Sequence, residues 1–264
     1  MNALTPTRIT RPRIAVWVSA GAASAIAAKL TLAKYPSYEV ALVRCIVKNE
    51  HPDNDRFVAD LEKWLDRPVI NIASKDFADC WEVWEKRRYL AGHAGAPCTL
   101  EMKKAPRQIF ERDWDPRLQV FGFTVEERER AKKFAANNPE VRMANVLIDA
   151  GLSKSDCMGM LDRAGIALPV MYGLGFQNNN CRGCVKASGR GYWSLVRKEF
   201  PAEFARMAAL SRDIGWTPCK TGKGEPIWLD ELDPAYPPQD DSPAIECSIM
   251  CHIEISKMED SQTW

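Results

Sequence analysis

The chain has 264 residues, 36 Lys+Arg against 35 Asp+Glu, a net charge of +1 and a pI near 7.5. That length suits one large α/β domain or a domain with a small appendage, and the balanced charge excludes recruitment of nucleic acid or membrane by a global field. The opening residues MNALTPTRITRPR lack the apolar stretch of a signal peptide, and no apolar run reaches membrane-spanning length. The expectation is a cytoplasmic protein with no membrane partner. In a reducing compartment its nine cysteines point to metal ligands or catalytic thiols ahead of disulfides.

After a basic arm (residues 1–13), Ile14 to Val18 reads as a short apolar strand. A bend of small residues follows, Ser19, Ala20, Gly21, Ala22 and Ala23, and then an Ala-rich helix starting near Ser24. Small residues let backbone N–H groups approach a phosphate, the helix adds its positive N-terminal end, and Ser19 and Ser24 add hydroxyls. The bend is neither a Walker loop, since no G-K-[ST] closes it, nor a G-x-G-x-x-G turn.

Val40–Val47 predicts a second strand, buried on both faces as in a parallel sheet, and Phe57, Val58, Leu61 and Leu65 mark one face of a helix. Val69–Ala73 predicts a third strand, Phe77–Leu90 and the segment after Cys98 helices, Leu118–Thr124 a fourth strand, and Val125–Ala136 a charged helix. Met143–Ile148 predicts a fifth strand, followed by a helix that Ser153 or Ser155 caps. Alternating strands and helices with short joins predict an α/β, doubly wound parallel sheet of about five strands. Ligands on such sheets sit at the carboxyl ends of the strands, where the Ser19 bend, His51, Asp53, Asn54, Gly122 and Thr124 fall. Beyond residue 168 the chain becomes Gly- and Asn-rich, so we expect a nucleotide-binding core over 14–168, a cysteine-bearing subdomain over 169–256 and a polar tail over 257–264.

Cys181 and Cys184 form a C-x2-C, and Cys247 and Cys251 a C-x3-C. Four such thiolates suit tetrahedral zinc or an iron–sulfur cluster, and the spacing does not choose between them. Cys98 stands apart, with Lys103, Lys104 and Arg107 following it in sequence; those cations lower its pKa if they fold beside its sulfur. Cys45, Cys80, Cys157 and Cys219 read as structural. Arg182, Lys186, Arg190, Arg197 and Lys198, interleaved with Tyr192 and Trp193, also fit a non-catalytic module that grips a phosphate backbone and stacks a base.

Several segments, in order, resemble the phosphoadenosine-phosphosulfate (PAPS) reductase-like family of the PP-loop superfamily. Ser19–Ser24 resembles S-G-G-x-D-S, with Ala20 for the first Gly and Ala23 for the Asp. APCTLEMKKAP resembles C-C-x-x-R-K-x-x-P, with Thr99 for the second cysteine and Lys103 near the basic position. The stretch from Gly122 to Arg130 resembles G-x-R-x-x-E-S-x-x-R, with Thr124 for the Arg. GIALPVMYGLGFQNNNCRGC is similar to the segment leading into the family's C-x-x-C, and IECSIMCH to its terminal E-C-G-L-H. A phage-associated subgroup is the nearest pattern, which would place the protein in the cytoplasm of a bacterial host.

The resemblance implies a Rossmann-like, HUP-type fold binding an adenine nucleotide, ATP or PAPS. The loop and the strand edge, with Glu127, would hold that nucleotide, Lys104, Arg107 and Lys186 would hold an anion, and Cys98 and Lys103 would be catalytic. A thiolate, Cys98 or Cys247, would attack sulfur, and a thioredoxin-type or other electron donor would clear the product. A [4Fe-4S] cluster or zinc would sit on Cys181, Cys184, Cys247 and Cys251, or Cys98 would join the pair at 181 and 184. The second enzymatic reading is an ATP pyrophosphatase-type sulfurtransferase acting on nucleic acid, with magnesium on Asp53 or Glu127. A second copy of the chain is the remaining candidate partner.

Overall fold

The computed structural model describes residues 11–92 and 95–240. Its centre is a four-stranded parallel sheet of β1 (Arg13–Trp17), β2 (Glu39–Cys45), β3 (Val69–Ile72) and β4 (Leu118–Val120), in the order β3-β2-β1-β4. Ile14 pairs with Val40 on one side and with Leu118 on the other. The chain steps outward from β1 to β3 and then returns to place β4 beyond β1. The strand order therefore reverses between β1 and β4, where α/β sheets open a crevice for ligands.

Helix α1 (Ala22–Lys34) leaves the end of β1, and α2 (Asp53–Leu65) follows β2. Between β3 and β4 come α3 (Cys80–Arg87), the short α4 (Pro97–Thr99), a π-helical turn (Leu100–Lys104) and α5 (Ala105–Trp114). The π turn has a cause in the sequence: Pro106 has no N–H to continue the i→i−4 ladder, and the widened turn just before it absorbs the interruption. After β4, a 3-10 turn (Val125–Glu127) leads to α6 (Arg128–Asn137), α7 (Val146–Asp149), α8 (Lys154–Arg163) and α9 (Val170–Gly173). The chain continues through α10 (Arg190–Glu199), α11 (Pro201–Ile214) and a 3-10 turn (Leu229–Glu231).

The strand period of two sorts the core. Ile14, Val16 and Val18 face one layer with Leu42, Phe57, Leu61 and the alanines of α1. Ala15 and Trp17 face the other with Val43, Phe121 and Phe134, where the Trp17 indole donates to Gln119 Oε1 at 2.8 Å. The predicted fifth strand is absent. Met143 makes one parallel bridge to Gln119, and Val146–Asp149 coils into α7 instead. The helical turn divides its apolar residues between the two layers, Val146 and Leu147 to one and Ile148 to the other, burying them all without a ladder. Of the two serines expected to cap α8 it is Ser153 that does so, its Oγ accepting from Asp156 N–H while its own N–H donates to the Asp156 carboxylate. Among the described residues no helix is long and apolar enough to cross a membrane.

A third cluster is built from two distant stretches. Phe77, Cys80, Trp81, Trp84, Leu90 and Met102 pack with Met171, Phe176, Cys181, Cys184, Trp193 and Met207. The cysteine-rich C-terminal segment thus shares its core with residues between β3 and β4.

Gly122 marks the tightest approach in the sheet's exit. A Cβ there would lie 2.7 Å from Ser24 N and 3.1 Å from the Ala23 carbonyl carbon, both backbone. Gly122→Ala should therefore cost about 1–3 kcal/mol by overpacking, read as a lowered urea midpoint with unchanged m.

Candidate functional site

The bend after β1 is held by its own polar groups. Ala20 sits at φ +57°, a left-handed conformation that glycine adopts more readily. That turn brings the two serines together. Ser24 Oγ accepts from Ser19 N–H at 3.1 Å, lies 3.2 Å from Ser19 Oγ and donates to Gly21 O at 2.9 Å. Gly21 begins α1 with no side-chain cap, and no acidic residue occupies the first turn. The Ala22 N–H reaches only a long bond, 3.5 Å, to Tyr172 Oη. The amide end of a thirteen-residue helix is thus left to a hydroxyl contributed by α9. Ala20, Ala22, Ala23 and Ser24 are buried and Ser19 is half-buried, and Tyr172 and Asn179 reach the bend from later in the chain.

A buried polar chain runs out from this bend. Asn179 Nδ2 donates to Ala20 O at 2.7 Å and to Asn54 Oδ1 at 2.8 Å, Asn54 Nδ2 donates to Glu50 Oε2 at 3.2 Å, and Lys103 Nζ donates to Glu50 Oε1 at 2.9 Å. Arg44 stands 3.9 Å from the same carboxylate. Each of these side chains is buried, which keeps the geometry fixed and makes every partner matter. Asn178 and Asn180, on either side of Asn179, line a cavity of about 520 Å³ that continues past Cys184, Lys186 and Lys220. That volume is in the range of small-molecule sites.

The thiols gather in the third cluster. Cys80 lies within side-chain hydrogen-bonding reach of both Cys181 and Cys98. Those two contacts, with burial, push the Cys80 thiol well above its usual pKa. Cys184 N–H donates to Tyr192 Oη at 2.7 Å, and Gly183, at φ +77°, turns the C-x2-C beneath Trp193. No disulfide joins the seven described cysteines to one another, and only Cys98 among them is half-exposed. Cys45 lies elsewhere and is inert, pushed up to about 12 by burial. Among the described residues, no three His, Cys, Asp or Glu side chains are already spaced as a metal site. Cys247 and Cys251 lie outside the described residues.

No family model matches the chain, and no curated protein matches it. Solved structures similar to it include the phosphoadenylyl-sulfate (PAPS) reductase of Candida auris in a phosphate complex, with a TM-score of 0.44 and 12% identity over 64% of this chain and 80% of that one. Another is the U34-tRNA thiolase of Methanococcus maripaludis with its [4Fe-4S] cluster, with a TM-score of 0.43 and 12% identity over 60% of this chain. The present chain spans 59% of that thiolase.

Several residues expected at the site do other work. Lys103 is ion-paired to Glu50 inside the protein. Arg107 is 1% exposed, stacks on Phe134 and stands 3.3 Å from Glu111, so it is not offered to a soluble anion; burial lowers its pKa. Lys104 is half-buried. Asp53 holds Arg56 through both carboxylate oxygens, at 2.7 and 2.8 Å, and accepts from Val170 N–H. That Arg56 bond keeps its carboxyl below the usual range. His51 Nδ1 accepts from Asp53 N–H, which orders the start of α2. Glu127 pairs with Arg130 and accepts from the buried Thr124 N–H, closing the turn after β4. Neither Glu50 nor Asn179 was expected at the site, and Cys80 was expected to be structural.

Proposed function

We propose that the protein is an adenine-nucleotide-linked sulfur enzyme of the PAPS reductase-like type. The observation that carries this is the bond from Asn179 to Ala20 O. Asn179 stands two residues before Cys181, so one short segment joins the bend suited to a phosphate to the clustered thiols. In this reading the nucleotide's phosphate displaces Tyr172 Oη from the amide end of α1, and Ser19 and Ser24 add hydroxyl contacts. Lys186, on the cavity wall, supplies positive charge on the thiol side.

The chemistry is a displacement at sulfur. A cysteine thiolate, from Cys98 or Cys247, forms an S–S bond to the sulfonate sulfur of PAPS. The S–O bond breaks, and adenosine 3′,5′-bisphosphate leaves with the electron pair. An external dithiol then reduces the Cys–S–SO3⁻ group, releasing sulfite and becoming a disulfide. The first turn of α1 carries no acidic residue, and a buried methyl stands at Ala23. This favours reduction over magnesium-dependent adenylation of a substrate by ATP.

The test is paired. Full-length protein with a dithiol donor should release sulfite from PAPS and little AMP or pyrophosphate from ATP. Ser19→Ala should weaken nucleotide binding about tenfold, the scale of one lost hydrogen bond to a charged group, and leave the melting temperature nearly unchanged. Pyrophosphate release without sulfite would move the protein to the sulfurtransferase reading. Salt-dependent nucleic-acid binding with neither turnover would make it a binding module.

A further inference from the structure

We propose that Cys80, Cys98, Cys181 and Cys184 form one all-thiolate site for a thiophilic metal, with Cys80 supplying the ligand that Thr99 does not. The inference deepens the reading above by fixing which thiols bind metal, but its test reads metal content and not turnover.

The geometry behind it begins at Asn49. Its side-chain oxygen accepts from the Cys80 N–H at 2.8 Å, and its backbone oxygen accepts from the Arg182 N–H at 2.9 Å. One residue thus pins the first turn of α3 and the C-x2-C loop side by side. Asp79 caps α3 by accepting from Glu82 N–H, which fixes Cys80 at the helix start. Cys98 arrives on α4, which packs against α3. Cys80 is then within reach of both Cys98 and Cys181, while the Cys184 N–H donates to Tyr192 Oη at 2.7 Å in the same cluster. Three separate elements therefore deliver four thiols to one apolar cluster with no disulfide among them.

A second observation is independent of the sulfurs. Trp84 lies one turn beyond Cys80 on the same helix face, in the same cluster, and is 1% exposed. Its indole N–H has no acceptor. A buried donor without an acceptor is costly, and metal-bound thiolates or sulfides accept such N–H groups.

An all-sulfur set selects zinc or an iron–sulfur cluster over hard cations. When bound, zinc would brace the loop and an iron–sulfur cluster would supply electrons. Engaging Cys98 as a ligand leaves Cys247 as the attacking thiol of the proposed reduction.

The experiment uses the full chain purified without oxygen, with iron, sulfide and zinc measured per chain and the spectrum recorded near 400 nm. One metal centre per chain is expected. A brown protein containing iron and sulfide identifies a cluster, and a colourless one containing zinc identifies a zinc site. Cys80→Ser and Cys98→Ser should each reduce metal content at least fivefold, whereas Cys157→Ala and Cys247→Ser keep it. Trp84→Phe, which removes only the N–H and the second ring, should retain metal but lose it several-fold faster to a chelator. Folding of each variant is checked by far-UV circular dichroism. Wild type that holds no metal even after reconstitution with iron and sulfide or with zinc overturns the proposal. So does a folded Cys80→Ser protein with full metal, above all if Cys247→Ser or Cys251→Ser has lost it. Sulfite release can fail with metal retained, which sinks the reductase reading and not this site.

Discussion

Glu50→Gln is expected to be among the most destabilising single changes in this protein, costing about 3–5 kcal/mol. The carboxylate is 6% exposed and faces two cations, Lys103 at 2.9 Å and Arg44 at 3.9 Å, both themselves buried. Neutralising it leaves two positive groups in the interior without that counter-charge. Lys103→Met should cost less, because Glu50 would keep Arg44 beside it and the aliphatic part of the lysine would be replaced. The ordering is the test. Urea unfolding should give a lower midpoint for Glu50→Gln than for Lys103→Met, with similar m-values. The reverse order would mean that the lysine, and not the carboxylate, anchors the chain of contacts to Ala20. The same measurement bears on function, since the Glu50–Asn54–Asn179 series braces the bend after β1 from outside through Ala20 O.

What could be read in the sequence followed from short-range rules. The apolar run Ile14–Val18, the small residues after it and the alanines of α1 gave strand, bend and helix because each signal is local and periodic. The Ser153 cap was legible for the same reason. Met143–Ile148 was misread as a strand because a short apolar run looks the same whether it buries itself as a strand or as one turn of helix. The resemblance gave Lys103 a catalytic role and Arg107 an anion to hold. Their charge is answered instead by Glu50, fifty-three residues away, and by Glu111 one turn on. Cys80 looked like any buried cysteine. Its meeting with Cys98 and Cys181 depends on residues 77–102 sharing a core with the segment after Met171, a long-range packing that no local pattern encodes. Asn179 was hidden in a run of three asparagines, the middle one of which donates to Ala20 O.

Asn179→Asp should be nearly as damaging as loss of Glu50, and its cost should grow with pH. The amide nitrogen donates to Ala20 O and to Asn54 Oδ1, while the amide oxygen is buried with no partner. A carboxylate there loses both donated bonds and points acceptors at acceptors. Asn54 cannot turn its own NH2 toward it without withdrawing from Glu50. The lost bonds and stranded acceptors come to about 2–4 kcal/mol. Burial also raises the pKa of the new carboxyl in the folded state above the unfolded value near 3.9, so the folded protein binds the extra proton more tightly. The variant therefore benefits from protonation at low pH and loses that benefit as pH rises. Its deficit against wild type should widen by up to about 1.4 kcal/mol per pH unit between the two pKa values and level off above the folded one. Asn179→Ala removes the same donor without adding a charge, so its deficit should stay constant with pH. Urea titrations of the two variants at pH 4.5 and pH 7.5 decide the matter. A pH-independent deficit for Asn179→Asp would show that the aspartate finds water or a cation, and that the packing between the bend and the neighbouring cavity is looser than the hydrogen bonds at 2.7 and 2.8 Å require.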